Sequence, residues 1–324
     1  MANAKLYAGA LAATLVAAGA SLPVQAKPLL IGYSVWVGYG PIFVAQEKGF
    51  FADEGLEVQM IRMEDGLAEA LYDDLFDATA ITLDEVAAWF EPEHTPVCVL
   101  ALDDSIGGDG IVALKEIQGV ADLKGRTVAF ANPSVSEFYL NVVLQEAGLS
   151  AADIEPVLLS GQDAGEAFLL REVDAAVTWE PWLTEGATAE HGHLLTDSSE
   201  RPGLIVDCLV TKASVFKQRK GDFQAFARAW AAAVDYYDAH PEEAIEIMSR
   251  HVGGWLEEPA AFAETLEGVR LYGRERSEAY LGTPQNPGPI YQTAQKAIDV
   301  WSGIGRLKTD ISPADMIGHG IWDQ

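Results

Sequence analysis

Residues 29–58 read LLIGYSVWVGYGPIFVAQEKGFFADEGLEV, and their pattern of apolar runs and loops recurs along the first two thirds of the chain. Residues 29–34 predict a buried strand, residues 41–48 a short helix with proline in its first turn, and residues 56–60 a second strand. A strand, a helix and a strand in close succession are typical of parallel sheets covered by helices.

Further β-rich runs extend this pattern at residues 78–82, 97–102, 127–130, 157–159 and 175–178. From Ala213 the chain is predicted to be nearly all helix, with apolar residues at helical spacing that indicate a core: Phe223, Phe226, Ala227, Trp230, Val234 and Tyr237. Residues 290–301 predict another helix, which Gly303 and Gly305 end. The sequence therefore predicts an α/β fold of two mainly parallel sheets flanked by helices, with a helical C-terminal part.

Two stretches rich in Gly or Pro are predicted crossings between two lobes. Residues 105–110 read SIGGDG, and residues 201–203 read RPG before the apolar run 204–210. If both are hinges, residues 27–106 form the first part of lobe 1, residues 107–203 form lobe 2, and residues 204–324 complete lobe 1. Taken alone, residues 107–110 also fit an ordinary surface turn.

Residues 1–26 have the composition of a cleavable export signal. Lys5 gives a positive amino end, residues 6–20 are apolar and rich in Ala, and the small residues Val24 and Ala26 occupy the positions that a signal peptidase reads. The apolar run is shorter than the ~20 residues of a membrane-spanning helix. We expect cleavage after Ala26 and a periplasmic product; the alternative is a buried N-terminal helix.

Composition excludes several classes of protein. The chain has 324 residues, 49 Asp and Glu against 21 Lys and Arg, and a formal charge of −28. Its content of aromatic residues argues against a disordered chain, and its negative charge would repel nucleic acid. Two cysteines cannot provide a four-thiolate metal or iron–sulfur site, and we expect no cofactor. Cys98 and Cys208 could be free buried thiols or a single disulfide.

Three unusual loops follow predicted strands, where open parallel sheets bind ligands. Residues 35–41 place Trp36 and Tyr39 beside two glycines, residues 132–137 place hydroxyls at a helix start, and residues 178–182 place two tryptophans around Glu180. Ser134 also fits a plain helix N-cap, and either tryptophan could fill a core. We predict that these loops converge on one crevice.

The motifs of the common hydrolases and nucleotide-binding enzymes do not occur in the sequence. It contains no Gly-x-Ser-x-Gly, no strand followed by Gly-x-Gly-x-x-Gly, and no Gly-x-x-x-x-Gly-Lys-Ser/Thr. His191 and His193 have a spacing that can bind metal, but no third ligand is evident, and we interpret this segment as a solvated loop. We predict no metal site and no enzymatic activity.

The chain resembles the periplasmic substrate-binding proteins of ABC importers for nitrate, sulfonates, taurine and thiamine-pyrimidine precursors. The resemblance rests on the WVGYGP loop at residues 36–41, AQEKGFF at 45–51, EGLEV at 54–58, DLKGR at 122–126 and VDAAVTWEPW at 173–182. It extends over about residues 29–210. The cysteine-rich iron motif of the related thiamine-pyrimidine synthases is missing from this sequence.

This resemblance implies a clamshell that closes on one small solute and delivers it to a permease in the inner membrane; a monomer is the simplest state for such docking. The implied ligand-binding residues lie in both lobes: Trp36, Tyr39, Thr82, Asp84, Asp109, Ser134, Ser136, Glu137, Trp179 and Glu180.

Charge in the predicted loops favours a particular kind of solute. Residues 35–41, 82–86, 103–110, 131–138 and 178–186 contain no Lys or Arg, but they do contain acids: Asp84, Glu85, Asp103, Asp104, Asp109, Glu137, Glu180 and Glu185. Aromatic faces beside carboxylates favour a cationic or zwitterionic organic nitrogen compound. The alternatives are a sulfonate, taurine or nitrate-type anion held by helix amino ends, an exported enzyme using Glu137 or Glu180, and a sensor module of the same fold.

Overall fold

The computed structural model describes residues 27–63 and 66–323. The predicted export signal and its cleavage after Ala26 lie outside the described residues. Within the described part of the chain, none of the helices is long and apolar enough to cross a bilayer.

The described strands occur mainly in the first two thirds of the chain: β1 (Leu29–Tyr33), β2 (Val58–Arg62), β3 (Ala78–Thr82), β4 (Pro96–Ser105), β5 (Asp109–Leu114), β6 (Thr127–Phe130), β7 (Glu155–Leu158), β8 (Ala175–Trp179), β9 (Gly192–Asp197), β10 (Val206–Lys212) and β11 (Val269–Leu271). The described helices are α1 (Gly40–Glu47), α2 (Phe50–Asp53), α3 (Leu67–Tyr72), α4 (Leu83–Ala88), α5 (Val135–Glu146), α6 (Gly161–Leu169), α7 (Trp182–Thr188), α8 (Ala213–Gln218), α9 (Lys220–Ala239), α10 (Pro241–Val252), α11 (Pro259–Leu266), α12 (Arg274–Leu281) and α13 (Ile290–Gly303).

These strands form two sheets, which define the two lobes. The first sheet has the order β11-β4-β10-β3-β1-β2 and the second has the order β7-β6-β8-β5-β9. The chain therefore leaves the first sheet after β4, completes the second and returns in β10. β4 ends at Ser105 and β5 begins at Asp109, while β9 ends at Asp197 and β10 begins at Val206. The domain bounds predicted after residues 106 and 203 fall in these connections, and they stay a prediction.

Both sheets are mixed, whereas the sequence pattern predicted mainly parallel ones. β1 pairs in parallel with β2 and β3, and β6 pairs in parallel with β7 and β8. The strands at the crossings are antiparallel to their neighbours: β10 to β3 and β4, and β5 to β8 and β9. This follows from the connectivity, because a strand that enters a sheet from the other lobe starts where that sheet's other strands end.

Each sheet is covered by helices, as predicted. The second sheet has one core on each face: Ile111, Val128 and Val177 lie in the core that includes residues of α5, and Val112, Ala129 and Ala176 lie in the core that includes residues of α6. The alternation of neighbouring residues between the two cores is the pleat of a strand buried on both faces.

The helical stripe that begins at Phe223 is core, as predicted from its spacing. Phe223, Phe226 and Trp230 of α9 are fully buried in the first lobe. Tyr237, at the end of the same stripe, is only partly buried against that core. β11 interrupts the otherwise helical C-terminal part by pairing with β4. The sequence pattern did not predict this strand, because three residues are too few to show a periodicity.

A disulfide joins Cys98 of β4 to Cys208 of β10, with a Cα–Cα distance of 5.5 Å. Both cysteines are fully buried in the core of the first lobe. The sequence left open whether these cysteines are free thiols or a disulfide, and the structure contains the disulfide.

Candidate functional site

The strand register of the first sheet brings polar side chains together where it faces the second lobe. Asp207, at the start of β10, lies directly opposite Thr82 at the end of β3 and opposite Asp103 near the end of β4. All three residues are buried, and Asp103 is 0% exposed. Because β10 lies between β3 and β4, residues far apart in sequence become neighbours at this edge.

The aromatic loop after β1 closes over these carboxylates. Trp36 donates its indole N–H to Oδ1 of Asp103 at 3.2 Å, and Tyr39 donates its hydroxyl to Oδ1 of Asp207. Gly38 allows the close packing, since a Cβ atom at this position would lie 2.2 Å from Oδ2 of Asp103. Trp36 and Tyr39 therefore orient two buried carboxyl groups, in addition to forming a wall.

The start of α4 adds two more carboxyl groups to this cluster. Thr82 is the N-cap residue and donates its hydroxyl to Oε2 of Glu85 at 3.2 Å. Asp84 is 2% exposed, and neither of its carboxylate oxygens has a hydrogen-bond partner among the described residues. The indole N–H of Trp301 in α13 donates to the backbone carbonyl of Asp84 at 2.9 Å, which fixes the position of this turn.

The second lobe contributes Asp109 and Trp179 from paired strands. Asp109 begins β5 and lies directly opposite Trp179 at the end of β8. Trp179 packs partly against the core of the first lobe, and a Cβ atom at Gly161 would lie 2.0 Å from its ring. The ring of Trp36 touches the crossing just before Asp109, since its Cη2 would be 2.8 Å from a Cβ atom at Gly108. Trp36, Asp109 and Trp179 thus surround one crossing segment.

Ser134, Ser136 and Glu137 lie at the start of α5, where their contacts serve the helix. Ser134 is the N-cap, and its hydroxyl accepts the backbone N–H of Ser136 at 3.1 Å. Ser136 is buried. Glu137 accepts hydrogen bonds on Oε1 from Asn132 at 3.0 Å and from Arg306 at 2.9 Å, while its buried Oε2 has no partner among the described residues. Through its contact with Arg306, Glu137 therefore links the second lobe to the C-terminal segment.

Glu180 has a local structural role. Its carboxylate accepts the backbone N–H of Thr184 at 3.0 Å and the hydroxyl of the same residue at 2.8 Å. These contacts satisfy the start of α7. Glu180 is half-buried, and its own backbone N–H donates to the carbonyl of Gly108 at 3.2 Å. It therefore borders the crossing without contributing a free carboxylate.

Burial dominates the electrostatics of the acidic cluster. It raises the pKa of Asp84 and of Asp207 to about 7, and the pKa of Asp109 to about 6. Burial also raises the pKa of Asp103 and Glu85 well above their ordinary values. Neighbouring carboxylates add to these shifts, since the charge of Asp109 raises the pKa of Asp84, Asp103 and Asp207.

The structure thus separates the sequence-predicted residues into groups. It brings Trp36, Tyr39, Thr82, Asp84 and Asp109 to one cluster of buried carboxyl groups and places Trp179 at its border. Ser134, Ser136, Glu137 and Glu180 engage in contacts at helix starts.

Sequence reasoning left Glu85, Asp103 and Asp207 out of the candidate ligand-binding residues. Asp103 and Glu85 stood among the loop acids that we noted, but only the pairing of β10 with β3 and β4 places Asp207 beside them. The available signal was a polar residue next to or within a buried apolar run, since Asp103 follows such a run and Asp207 interrupts one.

His193 lies in strand β9, whereas the sequence was interpreted as a solvated loop. Its ring Nε2 lies 2.7 Å from the carbonyl of Ile117, and Nε2 of His191 lies 3.0 Å from the carbonyl of Phe168. β9 is an edge strand of the second sheet, which explains its polar composition. In the residues that the structure describes, no group of three or more His, Cys, Asp or Glu could hold a metal ion.

Comparison with known proteins identifies relatives of this fold. A family model described as NMT1/THI5 like matches residues 36–244. A relative from Bacillus subtilis, which carries the provisional name of an aliphatic sulfonates-binding protein, is 28% identical over 234 residues, 69% of this chain and 70% of its own length.

Solved structures show the same architecture. The periplasmic aliphatic sulphonate binding protein SsuA from Escherichia coli superposes with a TM-score of 0.71 at 19% identity, over 92% of this chain and 99% of its own. The alkanesulfonate-binding protein SsuA from Xanthomonas axonopodis pv. citri, bound to MOPS, has a TM-score of 0.69 at 20% identity, over 90% and 98% of the two chains. The expected fold and the resemblance to periplasmic substrate-binding proteins are confirmed.

Proposed function

Because the chain belongs to the NMT1/THI5-like family, we propose that it is a periplasmic solute-binding protein of an ABC importer, and that its solute is a small cationic or zwitterionic organic nitrogen compound. The solute binds between the lobes and is delivered to a permease in the inner membrane. The proposed contacts are Trp36, Tyr39, Thr82, Asp84 and Asp109, together with Asp103 and Asp207; Trp179 borders the site.

One observation supports the charge of the solute most directly. The charge of Asp109 in the second lobe raises the pKa of Asp84, Asp103 and Asp207 in the first, and the charges that act on the pKa of these four groups are those of other carboxylates. A cation entering this space would replace carboxylate repulsion by attraction in surroundings where water screens little. An anion would add to the repulsion.

A sulfonate or nitrate-type anion is the second candidate, and the names of similar proteins favour it. Such an anion needs donors, and helix amino ends can supply them without a basic side chain. At the start of α4, however, Asp84 and Glu85 occupy the first turn with their own negative charges. At the start of α5, the hydroxyl of Ser134 already accepts a backbone N–H.

An exported enzyme using Glu137 or Glu180 was the other alternative. Both residues have partners: Oε1 of Glu137 pairs with Arg306, while its buried Oε2 has none among the described residues, and Glu180 receives two hydrogen bonds from Thr184. A general acid or base must reach the proton that it moves, so these contacts speak against either residue in that role.

Calorimetric titration of the purified protein with putrescine, glycine betaine, ethanesulfonate and nitrate tests the proposal. We expect binding of a cationic or zwitterionic nitrogen compound and no heat from the two anions. Mass spectrometry of the released compound should recover it unchanged. Tight binding of ethanesulfonate or nitrate alone would contradict the proposed solute class, and turnover would contradict a receptor role.

A further inference from the structure

The carboxyl groups of the cluster differ in whether the protein supplies them with a hydrogen-bond donor. Asp103 receives the indole N–H of Trp36 on Oδ1, Asp207 receives the hydroxyl of Tyr39 on Oδ1, and Glu85 receives the hydroxyl of Thr82 on Oε2. Each of these groups therefore has at least one oxygen that is satisfied within the protein.

Asp84 is the exception in this cluster. It is 2% exposed, yet neither Oδ1 nor Oδ2 has a hydrogen-bond partner among the described residues, and Oδ2 of Asp103 likewise has none. The hydroxyl of Thr82 lies near enough to lower the pKa of Asp84, but it donates its hydrogen bond to Glu85. A buried polar atom without a partner is unfavourable, so these three oxygens indicate donors that come from elsewhere.

Neither a basic side chain nor a metal ion accounts for these donors. The neighbouring charge that acts on Asp84 is that of Asp109, and the charges that act on Asp103 are those of Asp207, Asp104 and Asp109. The described carboxyl groups are also not arranged to hold a metal ion. Asp84 lies in the first turn of α4, two residues after Thr82, which is opposite Asp207, so its unpartnered oxygens belong to the edge of the sheet where we propose that the solute binds.

We infer that the charged group of the solute carries at least two N–H donors, which bind Asp84 and the free oxygen of Asp103, so that the site selects primary ammonium, amidinium or guanidinium groups over quaternary ammonium. This inference rests on the proposed function, because it assumes a cationic or zwitterionic solute between the lobes. A quaternary ammonium group has the same charge but no N–H, and it would leave all three oxygens unsatisfied. Charge-assisted hydrogen bonds to a carboxylate are the strong ones, and two parallel N–H groups can engage both oxygens at once.

Pairs of compounds that have the same net charge but differ in whether the charged group carries N–H donors test this inference. The probes are ethanolamine against choline, glycine against glycine betaine, and guanidinium against tetramethylammonium, titrated into the purified protein by calorimetry, with ethanesulfonate as the anionic reference. In at least one pair we expect the N–H compound to bind tenfold or more tightly than its methylated counterpart.

The variant Asp84→Asn should reduce that preference at least tenfold, because the amide keeps the shape but offers one acceptor and no charge. Asp104→Asn is the matched control. Asp104 is also a buried carboxyl group of β4, but it accepts the backbone N–H of Gly203 at 2.9 Å and lies 3.8 Å from Arg270. This control should retain the preference, and circular dichroism should show both variants folded.

The possible outcomes separate this inference from the proposed function. Equal or tighter binding of choline, glycine betaine or tetramethylammonium would overturn the inference and leave the cationic solute in place. Binding of ethanesulfonate alone would contradict both this inference and the proposed solute class. The inference also fails if no N–H compound binds, or if Asp84→Asn binds as the unchanged protein does.

Discussion

At the scale of single residues, the most unusual feature of this protein is a set of buried carboxyl groups. Asp84, Asp103 and Asp207 are almost fully buried, although Asp is rarely buried without a partner. The donors that the protein does provide come from Trp36 and Tyr39, which are bulky and could have been assigned to packing alone. The ligand-free protein therefore holds these residues at a cost, and a cationic solute would relieve it.

This cost should appear in the pH dependence of stability. Burial raises the pKa of Asp84 and Asp207 to about 7 and that of Asp109 to about 6, whereas an unfolded Asp has a pKa of about 3.9. The folded protein therefore binds more protons than the unfolded chain across this interval. Its free energy of unfolding is highest below about pH 4, as far as these groups are concerned, and falls as the pH rises through 6 to 7.

We expect the melting temperature of the ligand-free protein to fall by on the order of 5 °C between pH 5 and pH 8. Differential scanning calorimetry in buffers of constant ionic strength measures this change. The double variant Asp84→Asn with Asp207→Asn should flatten the profile, because its amides do not titrate. A flat profile in the unchanged protein would show that these groups do not titrate as described.

At the scale of elements, β4 and β10 hold the first lobe together. β10 arrives from the second lobe, inserts between β3 and β4, and carries Cys208, which is bonded to Cys98. The same pair of strands carries Asp103 and Asp207, which lie opposite each other, and Asp207 directly precedes Cys208. The disulfide therefore secures the two strands whose register builds the site.

Removing this disulfide should destabilise the protein substantially. The bond links residues 110 positions apart, and closing a loop of about 100 residues restricts the unfolded chain by up to about 5 kcal/mol. We expect the variant Cys98→Ala with Cys208→Ala to lose about 2–5 kcal/mol of unfolding free energy in urea titrations. Dithiothreitol should destabilise the unchanged protein and leave the double variant unaffected; equal midpoints for the two proteins would contradict this role.

At the scale of the whole molecule, contacts on more than one side of the crossings connect the lobes. Phe138 of α5 stacks on Trp301 of α13 with ring centroids 6.2 Å apart, and Trp182 of α7 meets the edge of Trp255 at 5.3 Å. Glu137 and Arg306 form an ion pair at 2.9 Å beside the first of these contacts. A clamshell opens only by separating such contacts, so they bias the equilibrium toward the closed arrangement.

Breaking the ion pair should shift that equilibrium toward an open form. We expect Arg306→Gln to weaken closure by about 1 kcal/mol, which lowers the ratio of closed to open molecules about fivefold. Small-angle X-ray scattering of the ligand-free protein should then give a larger radius of gyration. Arg228→Gln is the control, since Arg228 pairs with Glu54 at 2.7 Å within the first lobe. Identical scattering from all three proteins would argue against the ion pair as a closing contact.

Local patterns in the sequence determined most of the elements and the class of fold. β3 and β6 have the bounds that their apolar runs predicted, and the helical stripe from Phe223 to Val234 is core. The strands could be predicted because burial on both faces favours a continuous apolar run, and the helix because burial of one face imposes a period of 3.6 residues. The residue types in the loop with Trp36, Gly38 and Tyr39 also predicted a ligand site, and this stays a prediction.

Only the tertiary structure decided which polar residues meet. The register of β10 between β3 and β4 places Asp207 beside Thr82 and Asp103, and the same insertion makes the first sheet mixed. Pairing between strands more than 100 residues apart leaves no periodic trace in either strand, so no local pattern could reveal it. For the same reason, only the folded structure shows that Glu137 pairs with Arg306 and that Cys98 is bonded to Cys208.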